Sequence, residues 1–213
     1  MRDNVAKTAL IAAALAAVLG GAAASAAQVD LGISIGDGRL QSFYVAVGEH
    51  YHVAPRLVVD YRTRYRLLDE ELPIVFFLAS RARVAPQAVI DLRSGRRSWF
   101  EVALHFGLSP EIFFVPVGLE RIGPPYGKAY GYYRKHGRAG NWGKLKLTDR
   151  EVMDLVNLRF LSEYHGVRPE AVIGWRGQGR GFVAIHEEAR RGKAKNAQPG
   201  KPKGGKPPKG NRK

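Results

Sequence analysis

The chain has 213 residues, with 34 Lys or Arg against 19 Asp or Glu, so its formal net charge is +15. Hydrophobic residues make up 45% of it, which is typical of a globular protein and too high for a wholly disordered one. The absence of cysteine excludes disulfides, a thiolate nucleophile and any cysteine-based zinc or iron–sulfur site. The positive charge favours partners that carry negative charge.

Residues 1–26 are predicted to be a signal peptide. An apolar run over 9–19 follows a weakly basic start, and the small side chains of Ala24-Ser25-Ala26 suit cleavage before Ala27. An uncleaved membrane anchor is the alternative, although a segment this rich in Ala, Gly and Ser inserts weakly. We therefore expect an exported protein of the periplasm or cell surface, with no stable membrane span after cleavage.

The next residues, 27–42, are predicted to be an extended lead-in. Apolar and polar residues alternate over 29–35 as in a strand, and Gly36-Asp37-Gly38 is a turn signal.

One sequence pattern occurs three times and is the strongest structural signal. Residues 53–62, 84–93 and 167–176 share Val-x-Pro-x-x-Val-(Val/Ile)-x-(large apolar)-Arg, and a degenerate copy begins at Leu108. Proline favours the first position of a helix, and the two valines suit a hydrophobic staple around its start. An apolar segment with helical spacing precedes each copy, so the pattern predicts tandem helical hairpins and an all-α fold.

These units predict the rest of the organisation. Two units and the degenerate one occupy 43–117, and the last unit occupies 148–191. Between them, 118–147 is rich in Gly, Tyr and Pro and is predicted to be a long loop. The final segment, 192–213, contains Lys, Pro and Gly without any acid or aromatic residue, which predicts a disordered basic tail.

Two resemblances add to this interpretation. Residues 101–111, with a central Gly followed by Ser-Pro-Glu, resemble the helix-turn-helix of DNA-binding proteins. The segments 72–79, 123–133 and 182–185 resemble a family of bacterial exported proteins that has no assigned activity. The second resemblance implies export and implies no catalytic residue.

Two groups of residues are candidates for binding a partner. The first lies in the predicted loop, where Tyr and cations together favour a binding surface; the alternative is that the rings pack on the helices. It consists of Tyr126, Lys128, Tyr130, Tyr132, Tyr133, Arg134 and Lys135. The second is a basic ridge of Arg62, Arg93 and Arg176; the alternative is that these cations satisfy helix C-termini.

No catalytic, cofactor-binding or metal-binding residue is predicted. His50 and His52 point to different faces of a helix, and His136 is the most exposed histidine but has no carboxylate beside it. The acidic runs 69–71 and 187–188 are interpreted as solvated helix faces. Phosphate-loop, nucleophile-elbow and zinc-protease motifs are absent from the sequence.

The sequence therefore predicts a non-catalytic, exported module that binds or scaffolds an anionic envelope component or another protein. Lipid, lipopolysaccharide and polysaccharide are the candidate components. The alternative is a nucleic-acid-binding helix-turn-helix protein. Nucleic acid is the less favoured partner, because three of the six outward positions on the pattern's helices, Asp60, Asp91 and Glu170, are acids that phosphate repels.

Overall fold

The computed structural model describes residues 37–137, 142–143 and 145–197, with side chains as far as residue 192. All regular elements in these residues are helical, which confirms the all-α prediction for this part of the chain. The helices are α1 Gly38–Tyr51, α2 Pro55–Arg64, α3 Leu72–Ala82, α4 Pro86–Ser94, α5 Trp99–His105, α6 Gly127–His136, α7 Asp149–His165, α8 Pro169–Gly177 and α9 Phe182–Ala197. Short 3-10 turns occur at Asp69–Glu71 and Pro110–Phe113.

The predicted helix starts are confirmed where they depend on local chemistry. Helices α2, α4 and α8 each begin at the proline of the pattern. Helices α5 and α7 begin after Ser98 and Thr148, whose side chains accept the backbone N–H of Glu101 and Glu151 while those glutamates bind back. The degenerate copy after Leu108 forms only the 3-10 turn and then extended chain.

The core lies around α3 and α7. Helix α3 is buried over its first eight residues, 72–79, and it packs on α7, while α1 contacts α2, α3, α7 and α9. In the part of the chain with described structure, no single helix is long and apolar enough to cross a membrane. Residues 69–82 and 86–94 reach that length and hydropathy only together, across a bend of 118°.

Two predicted boundaries differ from the structure. Helix α1 already begins at Gly38, because the Asp37 side chain accepts the Arg39 N–H and caps it, so the extended lead-in does not reach 42. Helix α9 continues to Ala197, past the predicted start of the tail at 192; the Lys and Ala residues over 193–197 are good helix formers. Residues 1–36 and 198–213, with the signal peptide and most of the tail, lie outside the described residues.

The predicted loop over 118–147 contains α6. Tyr126, at its N-cap, and Ala129 and Tyr130, in its first turns, are buried. The hydroxyl of Tyr130 donates to Val115 O at 2.9 Å. Gly and Tyr are weak helix formers, so sequence propensity alone does not indicate this helix, and the buried face stabilises it.

Arg93, the closing arginine of α4, binds three kinds of group. Its Nη1 donates to Arg97 O at 2.8 Å, and its guanidinium lies over the Trp99 ring at 4.6 Å. Its Nη1 also pairs with Asp149 at 2.7 Å, and its Nη2 lies 3.5 Å from Glu71. The arginine thereby joins the end of α4 to the starts of α3, α5 and α7.

Arg176, at the end of α8, makes the corresponding contacts. Its Nη1 donates to Arg180 O at 2.9 Å, its guanidinium lies 4.6 Å from the Phe182 ring, and its Nε binds Asp154 at 3.0 Å. Here both charged side chains are buried, at 8% exposure for Arg176 and 2% for Asp154. Desolvation raises the pKa of Asp154, and Arg176 opposes that shift.

The prediction that Asp69–Glu71 forms a solvated helix face is wrong. Glu70 Oε1 accepts the backbone N–H of Phe182 at 3.1 Å, and Glu71 Oε1 accepts the indole N–H of Trp99 at 3.1 Å. Glu70 thereby completes the start of α9, because the first backbone N–H groups of a helix have no partner within it. Glu71 instead fixes the indole side chain of Trp99.

The second acidic run, 187–188, was also expected to be solvated. Glu187 is instead buried, and its Oε1 accepts the Ser42 hydroxyl at 2.6 Å. Arg190 binds it from the next turn. Glu187 therefore links α9 to α1, and only Glu188 is exposed.

Candidate functional site

The tyrosine and arginine candidates of the predicted loop separate into two groups. Tyr126 and Tyr130 are core residues, with 1% of their surface exposed, and are not available to a partner. Tyr133 is partly buried and stacks on the Phe114 ring at 4.6 Å. Arg134 donates to Glu120 O. These four residues attach α6 to the rest of the molecule, as the alternative interpretation of the rings expects.

The other candidates line an open pocket of about 450 Å³ beside α6. Lys128, Tyr132 and Lys135 lie on successive turns of the helix, so their side chains project from one side. Residues 145–147, which precede α7, also line the pocket. The complete lining is Lys128, Ala129, Gly131, Tyr132, Lys135, His136, Leu145, Lys146, Leu147 and Glu151.

The charge of this pocket is positive. Three lysines line it against one carboxylate, Glu151. One Glu151 oxygen accepts the Thr148 N–H and hydroxyl, and the other lies 3.7 Å from Lys128 Nζ. Because three lysines outnumber this single carboxylate, an entering anion meets a net excess of cationic side chains.

The pocket also has polar and apolar surfaces. The Tyr132 hydroxyl is buried and has no hydrogen-bond partner among the described residues. Its ring lies 4.5 Å from the His136 ring. Ala129, Leu145 and Leu147 are buried and form an apolar floor. Such a lining suits a ligand that combines negative charge with flat or apolar surface.

Lys146 and Glu151 belong to the pocket but were not among the sequence candidates. A signal was present, because Leu145, Lys146 and Leu147 alternate before the Thr148 cap. Alternation in extended chain buries the two leucines and exposes the lysine, as the structure has it. Which helix the lysine faces depends on the tertiary fold.

The arginines of the candidate basic ridge are occupied by carboxylates. Arg62 Nε binds Asp69 at 3.0 Å, and Asp69 also accepts the Tyr44 hydroxyl at 2.5 Å. Arg93 and Arg176 are held as described above. Arg176 is buried, so the three residues do not form an exposed ridge. Arg93 and Arg176 bind carbonyls just beyond the ends of α4 and α8, as the alternative interpretation expects, whereas Arg62 pairs with Asp69.

Two histidines that are far apart in the sequence meet in the core. His165 Nε2 lies 3.0 Å from His186 Nδ1, between α7 and α9. Burial is the main cause that lowers the pKa of His186, to about 4, and Arg190 lowers it further while Glu187 opposes. No cluster of three or more metal-ligating His, Asp or Glu side chains occurs within the described residues.

The fold and the pocket together define an all-α protein with a cationic pocket beside α6. Comparisons with protein-family models, with curated proteins and with solved structures found no match.

Proposed function

We propose that this chain is a non-catalytic, exported helical protein of the bacterial envelope that binds or scaffolds an anionic partner. The observation that carries the proposal is the pocket beside α6, where Lys128, Lys135 and Lys146 surround an apolar floor. Lysine amines attract phosphate and carboxylate groups, and an apolar floor adds contact area for the rest of the ligand. The basic tail over 192–213 is proposed to add electrostatic attraction.

The helical units are proposed to be copies of one architectural element that holds this pocket. A shift of 83 residues along the sequence equates Glu71 with Asp154 and Arg93 with Arg176, and both pairs are in contact. This agreement of contacts supports common architecture in α3–α5 and α7–α9. The shorter α1–α2 segment shares the proline start and the closing arginine.

A pair of glycine substitutions tests the pocket with a matched control. Gly131 in α6 lines the pocket, and a Cβ built there has no neighbour within 4 Å. Gly174 in α8 is equally open and is not among the pocket-lining residues. Gly131→Glu should place a negative charge in the pocket and weaken binding, whereas Gly174→Glu adds the same charge elsewhere and should bind as the parent does.

Binding is measured with the full chain against lipopolysaccharide, anionic lipid vesicles, zwitterionic vesicles and an acidic polysaccharide. Replacing Lys128, Lys135 and Lys146 by Gln should weaken binding about fivefold per lysine at low salt, from about 1 kcal/mol for each cation near an anionic surface. Equal binding of both glycine variants would overturn the role of the pocket. Binding of zwitterionic vesicles as strongly as anionic ones would overturn the anionic partner.

Fractionation of cells followed by N-terminal sequencing tests export. A mature chain that begins at Ala27 in the periplasm or at the surface is expected, whereas an intact Met1 in the cytosol would favour the nucleic-acid-binding alternative. Turnover of a substrate by the purified chain, abolished by Glu or His substitutions, would overturn the non-catalytic assignment.

A further inference from the structure

A second pocket lies between the C-terminal ends of α1 and α3 and the last turns of α7. It encloses about 420 Å³. Its lining is mainly polar and consists of His50, Tyr51, His52, Phe77, Ser80, Arg81, Arg83 and Glu163. None of these residues was a candidate partner-binding residue on sequence grounds.

Two of the lining residues hold a backbone conformation that favours glycine. His52 and Arg83 are the C-cap residues that follow α1 and α3, and both have φ of 56°. The corresponding turns after α5 and α7 contain Gly107 and Gly166 with φ of 69° and 64°. A side chain in this left-handed region is strained. His52 and Arg83 therefore keep their functional groups at the pocket despite an unfavourable backbone.

The arginines of this pocket have no carboxylate partner in the described part of the chain, although the Arg81 guanidinium lies 5.4 Å from the centre of the Phe77 ring. Neither Arg81 nor Arg83 forms an ion pair within the described residues. The carboxylate that lines the pocket, Glu163, is bound by His50 at 3.5 Å and by Arg159 at 2.9 Å. The charge of Glu163 is therefore balanced by Arg159, and the guanidinium groups of Arg81 and Arg83 remain without a carboxylate partner within the described residues.

A buried hydroxyl lies at the same place. Tyr51 Oη has no hydrogen-bond partner among the residues with described structure. Glu163 and Arg81 are among the charges that act on it. A buried polar atom without a partner is unusual in a folded protein and is commonly satisfied by a ligand or water.

An apolar groove continues from this pocket. It has a volume of about 280 Å³ and shares Tyr51, Ser80 and Arg83 with the polar pocket. The rest of its lining is Val53, Phe76, Ala79, Val84 and Pro86. Arg83 thus lines both the polar, cationic pocket and the apolar groove.

We propose that the polar pocket and the apolar groove form one binding site for an anionic amphiphile that carries a phosphate head and an aliphatic chain. Arg81, Arg83 and His52 bind the phosphate, because guanidinium and imidazole groups donate several hydrogen bonds to its oxygens. The chain lies along Val53, Phe76 and Val84. This site is independent of the pocket beside α6 and goes beyond the proposed function.

Calorimetric titration of the full chain with methyl, butyl, hexyl and octyl phosphate tests both the polar pocket and the apolar groove. Affinity should rise about fourfold for each methylene that enters the groove, from about 0.8 kcal/mol per buried methylene. Octyltrimethylammonium, which has the same chain with a cationic head, should not bind. If inorganic phosphate bound as tightly as octyl phosphate, the proposal that the ligand is an amphiphile would be overturned, and the site would bind phosphate alone.

Three substitutions to glycine separate binding from folding. Arg83→Gly and His52→Gly place the residue of the equivalent turns at a position with positive φ, so the fold should be retained and Tm should rise by about 2–4 °C. Octyl phosphate affinity should fall at least tenfold in Arg83→Gly and less in His52→Gly. Arg96, with φ of 64°, lies outside this site; Arg96→Gly should give a similar rise in Tm with unchanged affinity.

Two outcomes with these glycine variants would also overturn the proposal. One is parental affinity for octyl phosphate in Arg83→Gly; the other is an equal loss of affinity in Arg96→Gly. The Gly174→Glu variant, whose residue lines neither site, should bind octyl phosphate as the parent does. Loss of octyl phosphate binding in Gly131→Glu together with parental binding in Arg83→Gly would assign the ligand to the pocket beside α6 and overturn this site. Failure of this site is therefore distinguishable from failure of the pocket beside α6.

Discussion

The α3–α5 and α7–α9 segments hold equivalent arginines by the same contacts but at different depths. The side chain of Arg93 is 27% exposed and shares its charge between Glu71 and Asp149, whereas Arg176 is 8% exposed and faces the buried Asp154. The free energy that each arginine contributes depends on how completely its partner is removed from water. The same sequence pattern therefore produces the same contacts in both segments. The free energy of unfolding that each arginine contributes differs, because the two arginines are buried to different extents.

The largest expected effect is at Arg176. Arg176→Met should lower the free energy of unfolding by about 3–5 kcal/mol, because Asp154 is left as a buried charge without its main partner. Urea denaturation measures the loss. The double variant that also carries Asp154→Leu should recover most of it, since the unpaired charge is gone. A single variant as stable as the parent would contradict the buried pair.

Acidic pH should affect the α7–α9 segment through His186. Its pKa is about 4 in the folded chain against 6.5 for an ordinary histidine, so protons bind the unfolded chain more strongly. Stability from this group is complete above pH 6.5 and is lost as the pH falls toward 4, with about 2 kcal/mol lost at pH 5.

The equivalent position in α3–α5 is Ala103, which suggests the control. His186→Ala removes the titrating group. The free energy of unfolding of this variant should therefore change less between pH 7 and pH 5 than that of the parent protein. Urea denaturation at both pH values measures the difference. An identical pH dependence in the two proteins would assign the effect to other groups.

Arg93→Met should destabilise less than the change at Arg176. We expect about 1–2 kcal/mol, from the loss of hydrogen bonds to Arg97 O and Asp149 and of the contact with the Trp99 ring. The carboxylates left behind are partly solvated, so their desolvation is smaller. A loss as large as that of Arg176→Met would show that burial does not explain the difference between the two segments.

The smallest effect is expected in the α1–α2 segment. A shift of 31 residues places Leu68 where α5 has Trp99, and Leu68 is 60% exposed. Leu68→Gln should change stability by less than about 0.5 kcal/mol. Trp99→Gln, which opens the core under Arg93, is the comparison variant and should cost several times more. Equal losses would mean that Leu68 is packed in solution.

Local chemistry explains which parts of the fold could be predicted. The prolines at 55, 86 and 169 begin α2, α4 and α8, and Ser98 and Thr148 cap α5 and α7, because these signals act within one turn. Helix α6 could not be predicted in this way, since its stability comes from burial of Tyr126 and Tyr130 against distant residues. The buried acids were missed for the same reason.

The sites show the same division between local and distant information. Lys128, Tyr132 and Lys135 were recognised from composition, but only the fold separates them from the buried Tyr126 and Tyr130. The pocket at the ends of α1 and α3 was missed, although His52 and Arg83 occupy the turn position where glycine is favoured. A large side chain at a turn position that favours glycine is the sequence signal for this pocket. The sequence does not indicate that the two turns lie next to each other.

The carboxylates that hold helix starts come from the opposite segment in both cases. Asp149, at the start of α7, accepts the Trp99 N–H of α5 at 2.7 Å, and Glu70, before α3, accepts the Phe182 N–H of α9 at 3.1 Å. Each segment thus depends on the other for a hydrogen bond at a helix start, so we expect that neither segment folds in isolation. Heat should therefore melt both halves in one cooperative transition, and a break in the connection between them should be tolerated only while the two pieces remain associated.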